Sequence, residues 1–410
     1  MILTITFNLY TRKTYLLYLT TLISLLSLVL SGCTPLASPT GTTTTEGNGP
    51  HTASMTGAQL ARVQHIIRGM TVEQKLGQLI MVEYLGNNYQ ESGLKSMIAQ
   101  HFVGGYLYQP VNHNFDAPLD TVASVHAFAQ QANADASVPL LIAVDQEGGL
   151  VSKLAGFFGP APSAAALAAS GNSTTARQQG AQTAQWMKEM GINVDLAPVV
   201  DVQSINPPAQ PLLQSRTFGK DARTVSTYAS AFLDGLQNNH ISGCLKHFPG
   251  LGSFTAEQDP HDALYAINHT LADWQNIDLA PYKQLIGHNN PALIMSTDVK
   301  VPALDADLPA ELSPKLINGT LRTDLGYQGV VITDGLYMKG ITTTWTIPQA
   351  AVLALSAGND IVEGPYTSDQ VTAVIAALKT ALQDGRLSIT RIDQSVQRIL
   401  ALKMYYGLLK

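Results

Sequence analysis

The sequence predicts an α/β protein whose single catalytic domain is a closed (β/α)8 barrel of the TIM type, and three observations lead there. Short apolar runs recur along the chain, longer segments of helical pattern separate them, and polar residues come directly after nearly every run. Parallel strands alternating with helices close into such a barrel, and its active sites form where the C-terminal ends of several strands meet. An open doubly wound sheet is the structural alternative.

The runs are Leu79 to Tyr84, Val103 to Tyr108, Leu140 to Val144, Val194 to Val199, Ile241 to Leu245, Ala292 to Met295, Val330 to Ile332 and a weaker Asp360 to Val362. Thr174 to Met190, Ala222 to Asn239 and Ser368 to Gln383 have the length and spacing of the intervening helices. From Ile389 to Leu409, the positions Ile392, Val396, Ile399 and Leu400 recur at helical spacing, which suits packing on the barrel exterior. Tyr405-Tyr406 within it reads as core or rim packing, and Cys244 as a small buried hydrophobe.

The first residues have a different character. Arg12 and Lys13 precede an apolar stretch from Tyr15 to Leu30, then Leu30-Ser31-Gly32-Cys33, the pattern of an export signal. It resembles a bacterial lipoprotein signal, 1–32, cut before Cys33, which implies a lipidated Cys33, a bilayer partner and an extracellular, lipid-anchored location. An uncleaved membrane helix with an incidental cysteine is the alternative. Residues 33–54, rich in Thr, Pro, Gly and Ser, bury little and suit a flexible tether. The barrel is assigned to 55–410.

Removing 32 residues leaves 410 − 32 = 378, enough for one large barrel. A chain that is 45% hydrophobic and 13% charged can fill such a core, and a net charge of −6 offers no case for nucleic-acid binding. With Cys244 the only cysteine besides Cys33, no internal disulfide is expected. Oligomeric state is not legible.

The polar residues just past the runs carry the chemistry. Val144 leads into Asp145-Gln146-Glu147-Gly148-Gly149, Val199-Val200 into Asp201, and Leu245 into Lys246-His247. Met295 leads into Ser296-Thr297-Asp298, and Ile332 into Thr333-Asp334-Gly335. Asp334 is the candidate nucleophile: a strand-end carboxylate can attack an anomeric carbon if another group protonates the departing oxygen. Gly335 beside it leaves room for substrate; the bland alternative makes Asp334 a helix cap.

Asp259-Pro260-His261 offers the proton-transfer group, since an aspartate can fix the tautomer of a histidine two residues away and stabilise its imidazolium. A zinc-ligand pair and a surface salt bridge are equally compatible with that spacing. His247, Asp259 and His261 could make a metal set of two histidines and a carboxylate, but neighbouring Lys246 opposes a cation, and neither His-Glu-x-x-His nor clustered cysteines occur. Lys246 and His247 would face opposite ways in a regular strand, so both enter one pocket only if the strand ends or bulges there. With Arg216 they would donate to sugar hydroxyls, and Asp145 would accept from them.

These stretches, with Asn193 to Val202 and Arg216-Thr217-Phe218-Gly219, occur in the order seen in glycoside hydrolase family 3. The sequence resembles its single-barrel β-N-acetylhexosaminidase branch from about Met70 to the C-terminus. The resemblance implies Asp334 as nucleophile, His261 as general acid/base and Asp259 as its orienting partner. It implies that Asp145, Arg216, Lys246 and His247 hold a terminal non-reducing N-acetylglucosamine, and that retaining hydrolysis proceeds without cofactor or metal. An amino-sugar oligosaccharide, from peptidoglycan fragments or chitin-like chains, is the implied substrate.

Leu150 stands where the family commonly has arginine, Gly250-Leu251-Gly252 replaces Gly-His-Gly, the Ser253 to Gln258 loop is longer, and Gly335 replaces Asp or Trp. A β-N-acetylglucosaminide phosphorylase and a catalytically impaired sugar-binding lipoprotein remain the competing functions.

Overall fold

Eight parallel strands close in sequence order: β1 (Ile80–Val82), β2 (Gly105–Tyr108), β3 (Leu141–Val144), β4 (Val194–Asp195), β5 (Ser242–Phe248), β6 (Leu293–Ser296), β7 (Val330–Gly335) and β8 (Ile361–Glu363). β1 pairs with both β2 and β8, which seals the barrel. The computed structural model describes residues 54–203 and 211–409. The expected signal segment, Cys33 and nearly all of the 33–54 tether therefore lie outside the described residues. Among the described residues, no helix is long and apolar enough to cross a membrane.

Each expected apolar run overlaps one barrel strand, though four strands run on past the end of theirs, because parallel strands covered by helices are buried on both faces and read as continuous hydrophobic stretches. Every residue of β3 and β5 is buried. The weak run at Asp360 is genuine strand; its acidic start marks the barrel floor. Many of the helices begin on side-chain caps, as at Thr367, whose side chain accepts from Gln370 N to open Ser368–Gln383. Helices Ser173–Glu189 and Ala222–Gln237 meet at two glycines: a Cβ on Gly180 would stand 2.2 Å from Phe232 O, and one on Gly235 2.2 Å from Arg177 O.

The C-terminal helix, Ile389–Tyr405, does more than coat the exterior. Its Arg391 and Arg398 reach Asp360 ahead of β8, and its Lys403 Nζ donates to Gln78 Oε1 at 2.8 Å and Gly104 O at 3.1 Å, ahead of β1 and β2. The helix thus ties together N-terminal strand ends, away from the polar C-terminal ends. Burial pulls the Lys403 amine down to about 7. Between about 7 and the ordinary 10.5 the unfolded chain binds the extra proton, so stability should rise with pH across that window. Melting temperatures of wild type and Lys403→Met over this range check it: the rise should be absent in the variant.

Candidate active site

One cleft of 530 Å³ opens at the C-terminal strand ends, and Asp145, Arg216, Lys246, His247, Asp259, His261 and Asp334 all line it. They arrive from different strands and loops, as barrel geometry dictates.

The residues expected to hold the sugar are organised around a buried carboxylate, Glu147, to which the sequence alone assigns no role. Glu147 accepts Arg216 Nε at 2.8 Å and Arg216 Nη2 at 2.9 Å, and Lys246 Nζ approaches it at 2.8 Å. Lys246 also donates to Asp145 Oδ1 at 2.6 Å. Burial pushes the Glu147 carboxyl up, but Lys246 and Arg216 outweigh it and hold the group at about 2. Burial opposes the charge on Lys246, and Asp145 and Glu147 reverse that, lifting the ammonium above its usual range. Both cations are therefore fixed in position before any sugar arrives.

β5 continues through Phe248, and its register against β6 shifts between Leu245 and Phe248. That irregularity meets the condition for Lys246 and His247 to enter the same cleft; their shared peptide is cis. Asp201, a second residue without a role at the sequence level, orients the imidazole: its Oδ2 lies 2.8 Å from His247 Nδ1, and its Oδ1 accepts from Leu251 N at 2.8 Å. Strand-end position is the signal that marks both Glu147 and Asp201; their pairing is tertiary.

Asp334 sits within the end of β7. Its Oδ2 accepts from Thr297 Oγ1 at 2.9 Å and its Oδ1 from Gly335 N at 2.9 Å, bonds that fix the orientation of the carboxyl group. It caps no helix, because the next one is Lys339–Thr342 with Met338 at its N-cap. The space beside Gly335 belongs to protein: a Cβ there would lie 2.7 Å from the Tyr337 ring. The small residue accommodates Tyr337 and does not open room for substrate.

His261 Nδ1 lies 2.7 Å from Asp259 Oδ1, which also accepts from His261 N at 3.0 Å, so the two-residue spacing does produce contact. Burial raises the Asp259 carboxyl, but its hydrogen bonds to His261 bring it below the ordinary value. The His261 side chain is 67% exposed, free to approach a bound ligand. Its loop rests on the segment after Asp334: Lys339 N donates to His261 O at 3.4 Å and Gly340 N to Pro260 O at 3.2 Å.

A second Asp–His pair stands behind this loop. His269 Nδ1 lies 2.8 Å from buried Asp278 Oδ2, and His269 Nε2 lies 2.9 Å from Ser253 Oγ. It has dyad geometry but is not among the residues lining the cleft, whereas Asp259 and His261 are. Among the described residues, no group of three or more His, Cys, Asp and Glu is arranged to hold a metal ion. Leu150 is 67% exposed and outside the lining, while Leu251 is buried within it.

Known proteins resemble the chain in sequence and in fold. The family description Glycosyl hydrolase family 3 N terminal domain matches residues 71–402. Beta-hexosaminidase LpqI of Mycobacterium tuberculosis is 32% identical over 380 residues, 90% of this chain and 93% of that protein. A family 3 β-N-acetylglucosaminidase structure from Paenibacillus sp. str. FPU-7 superposes with a TM-score of 0.76 at 33% identity, covering 83% of this chain and 63% of that one. The β-N-acetylhexosaminidase structure from Beutenbergia cavernae gives 0.72 at 29% identity, covering 82% and 99%. With the profile spanning most of the barrel and these relatives spanning most of the chain, the protein belongs to glycoside hydrolase family 3.

Proposed function

We propose that the chain is a retaining exo-β-N-acetylglucosaminidase acting on terminal non-reducing N-acetylglucosamine of peptidoglycan fragments or chitin-like oligosaccharides. The observation that carries this reading is the shared cleft: a carboxylate at the end of β7 and an Asp–His pair whose loop rests on that carboxylate's own segment. Asp334 attacks the anomeric carbon as His261 protonates the departing oxygen, forming a covalent glycosyl-enzyme. His261 then takes a proton from water, which attacks the same carbon and releases sugar with retained configuration. Asp259 holds the His261 tautomer and stabilises the imidazolium. Asp145, Arg216, Lys246 and His247 grip the ring hydroxyls, and named relatives acting on β-hexosaminides support the amino-sugar substrate.

Incubation with an aryl β-N-acetylglucosaminide tests this: release of the aryl alcohol with a β-configured sugar product is expected. Added phosphate should leave the product unchanged; a sugar 1-phosphate would make the protein a phosphorylase. No turnover across a broad pH range would overturn the enzyme reading. His261→Ala should slow substrates with poor leaving groups by roughly 10²- to 10⁴-fold and activated aryl glycosides far less, because only the former need strong acid assistance. Equal losses, measured as kcat/KM, would remove the acid role.

The export pattern and the cysteine after it support a mature N-terminus at acylated Cys33, a 33–54 tether and the 55–410 barrel held at the extracellular face of the cell membrane. Mass spectrometry of that terminus decides it; an intact Met1 would refute the anchor.

A further inference from the structure

Glu83 and Glu363 line the cleft, yet neither the proposed nucleophile nor the grip uses them. Glu363 ends β8, Glu83 directly follows β1, and Met81 stands opposite Glu363 in the parallel register, so the two carboxyls are neighbours. Glu363 is 2% exposed and Glu83 6%. Oε1 of each is buried with no hydrogen-bond partner among the described residues. Asn112 Nδ2 donates to Glu83 Oε2. Burial raises both carboxyls; Tyr337 and Asn112 pull Glu83 partly back, while Glu83, Asp334 and Asp145 push Glu363 further up. Buried polar atoms without partners, on residues that line a ligand cleft, are the kind of group a ligand completes.

The direction of the sugar follows from the order of the strands. On the hydrolase reading, which this inference rests on, the anomeric carbon meets Asp334 on β7 and the opposite end of the ring meets Asp145 beyond β3. The hydroxyl donors Lys246 and His247 lie on one side of that line, on β5. Glu363 and Glu83 lie on the other, at β8 and β1. A pyranose with its C2–C3 edge toward β5 turns its ring oxygen, C5 and exocyclic C6 toward the two glutamates.

We propose that Glu363 and Glu83 form the subsite for the C6 substituent, taking a free hydroxymethyl group and rejecting sugars whose C6 carries an anionic group. A protonated carboxyl both donates and accepts, as a hydroxyl does, so the two are complementary. A phosphate or carboxylate at C6 would be desolvated beside two carboxyls, neither of which is paired with a cation among the described residues, and a C6 methyl would leave the buried oxygens unpaired.

The test compares N-acetylglucosamine, its 6-deoxy analogue and its 6-phosphate by calorimetry, alongside kcat/KM on the corresponding aryl glycosides. Wild type should bind the parent about 10- to 100-fold more tightly than the 6-deoxy sugar, the range expected for buried hydrogen bonds, and should not bind the 6-phosphate. Glu363→Leu should lose that preference by weakening the parent alone; Glu363→Gln should keep most of it. Equal binding of parent and 6-deoxy sugar by wild type overturns the subsite without relying on any variant, and so does an equal loss for both sugars in Glu363→Leu. A wild type that discriminates the sugars but hydrolyses neither glycoside supports the subsite and overturns the hydrolase reading.

Discussion

Asp334→Ala should lower turnover of an aryl β-N-acetylglucosaminide by about 10⁴-fold or more while sugar binding survives, since removal of an essential nucleophile costs losses of that order. The structure makes this variant tractable. The carboxylate's partners are a hydroxyl and a main-chain N–H at the mouth of the barrel, and no cation is paired with it among the described residues. Its removal therefore strands no buried charge, and melting temperature should change little. A small external anion such as azide can occupy the vacated space and attack from the same face, giving an α-glycosyl azide. Wild-type turnover in the variant would overturn the nucleophile assignment, and a β-azide would contradict attack from that face.

Lys246→Met should have the second large effect, on stability as well as on activity. Lys246 is buried and bridges Asp145 and Glu147, so its loss leaves two carboxylates undercompensated; breaking such a buried pair costs about 3–5 kcal/mol. Glu147 adds a pH signature. A carboxyl held below its ordinary 4.5 contributes stability above that value and loses it as pH falls toward about 2. The gap between 4.5 and about 2 corresponds to roughly 3 kcal/mol. Denaturant unfolding from neutral to acid pH should therefore show wild type losing stability below about 4.5 and the variant, destabilised throughout, losing less. Parallel acid profiles would contradict the assignment of that loss to Glu147.

The barrel is legible in the sequence because buried parallel strands leave apolar runs that few other elements imitate, and because polar residues sit beyond them at one end. The same rule brings all the candidate catalytic and binding residues to one cleft. Pairing is less legible. Glu147 and Arg216 are 69 residues apart, and nothing in the spacing says that the arginine would be spent on a carboxylate. Glu363 follows the weakest run and carries the same strand-end signal as Asp334, but a lone glutamate after two apolar residues resembles any loop start. His269 and Asp278 are nine residues apart and straddle a helix start, a separation with no motif attached. Gly335 looks like space for a ligand, because a sequence records a missing side chain but not the ring that fills its place.

The ion-pair bridge from Lys246 to Asp145 and Glu147 also shapes how such a protein can change over generations. Drift that strikes these groups undermines the folded barrel itself, so descendants with altered grips should be purged before their sugar preference is ever sampled. Asp334 and the exposed His261 loop are not bound into that bridge. A lineage abandoning hydrolysis for sugar binding would be expected to lose those first, keeping the grip as a fossil of the enzyme it came from.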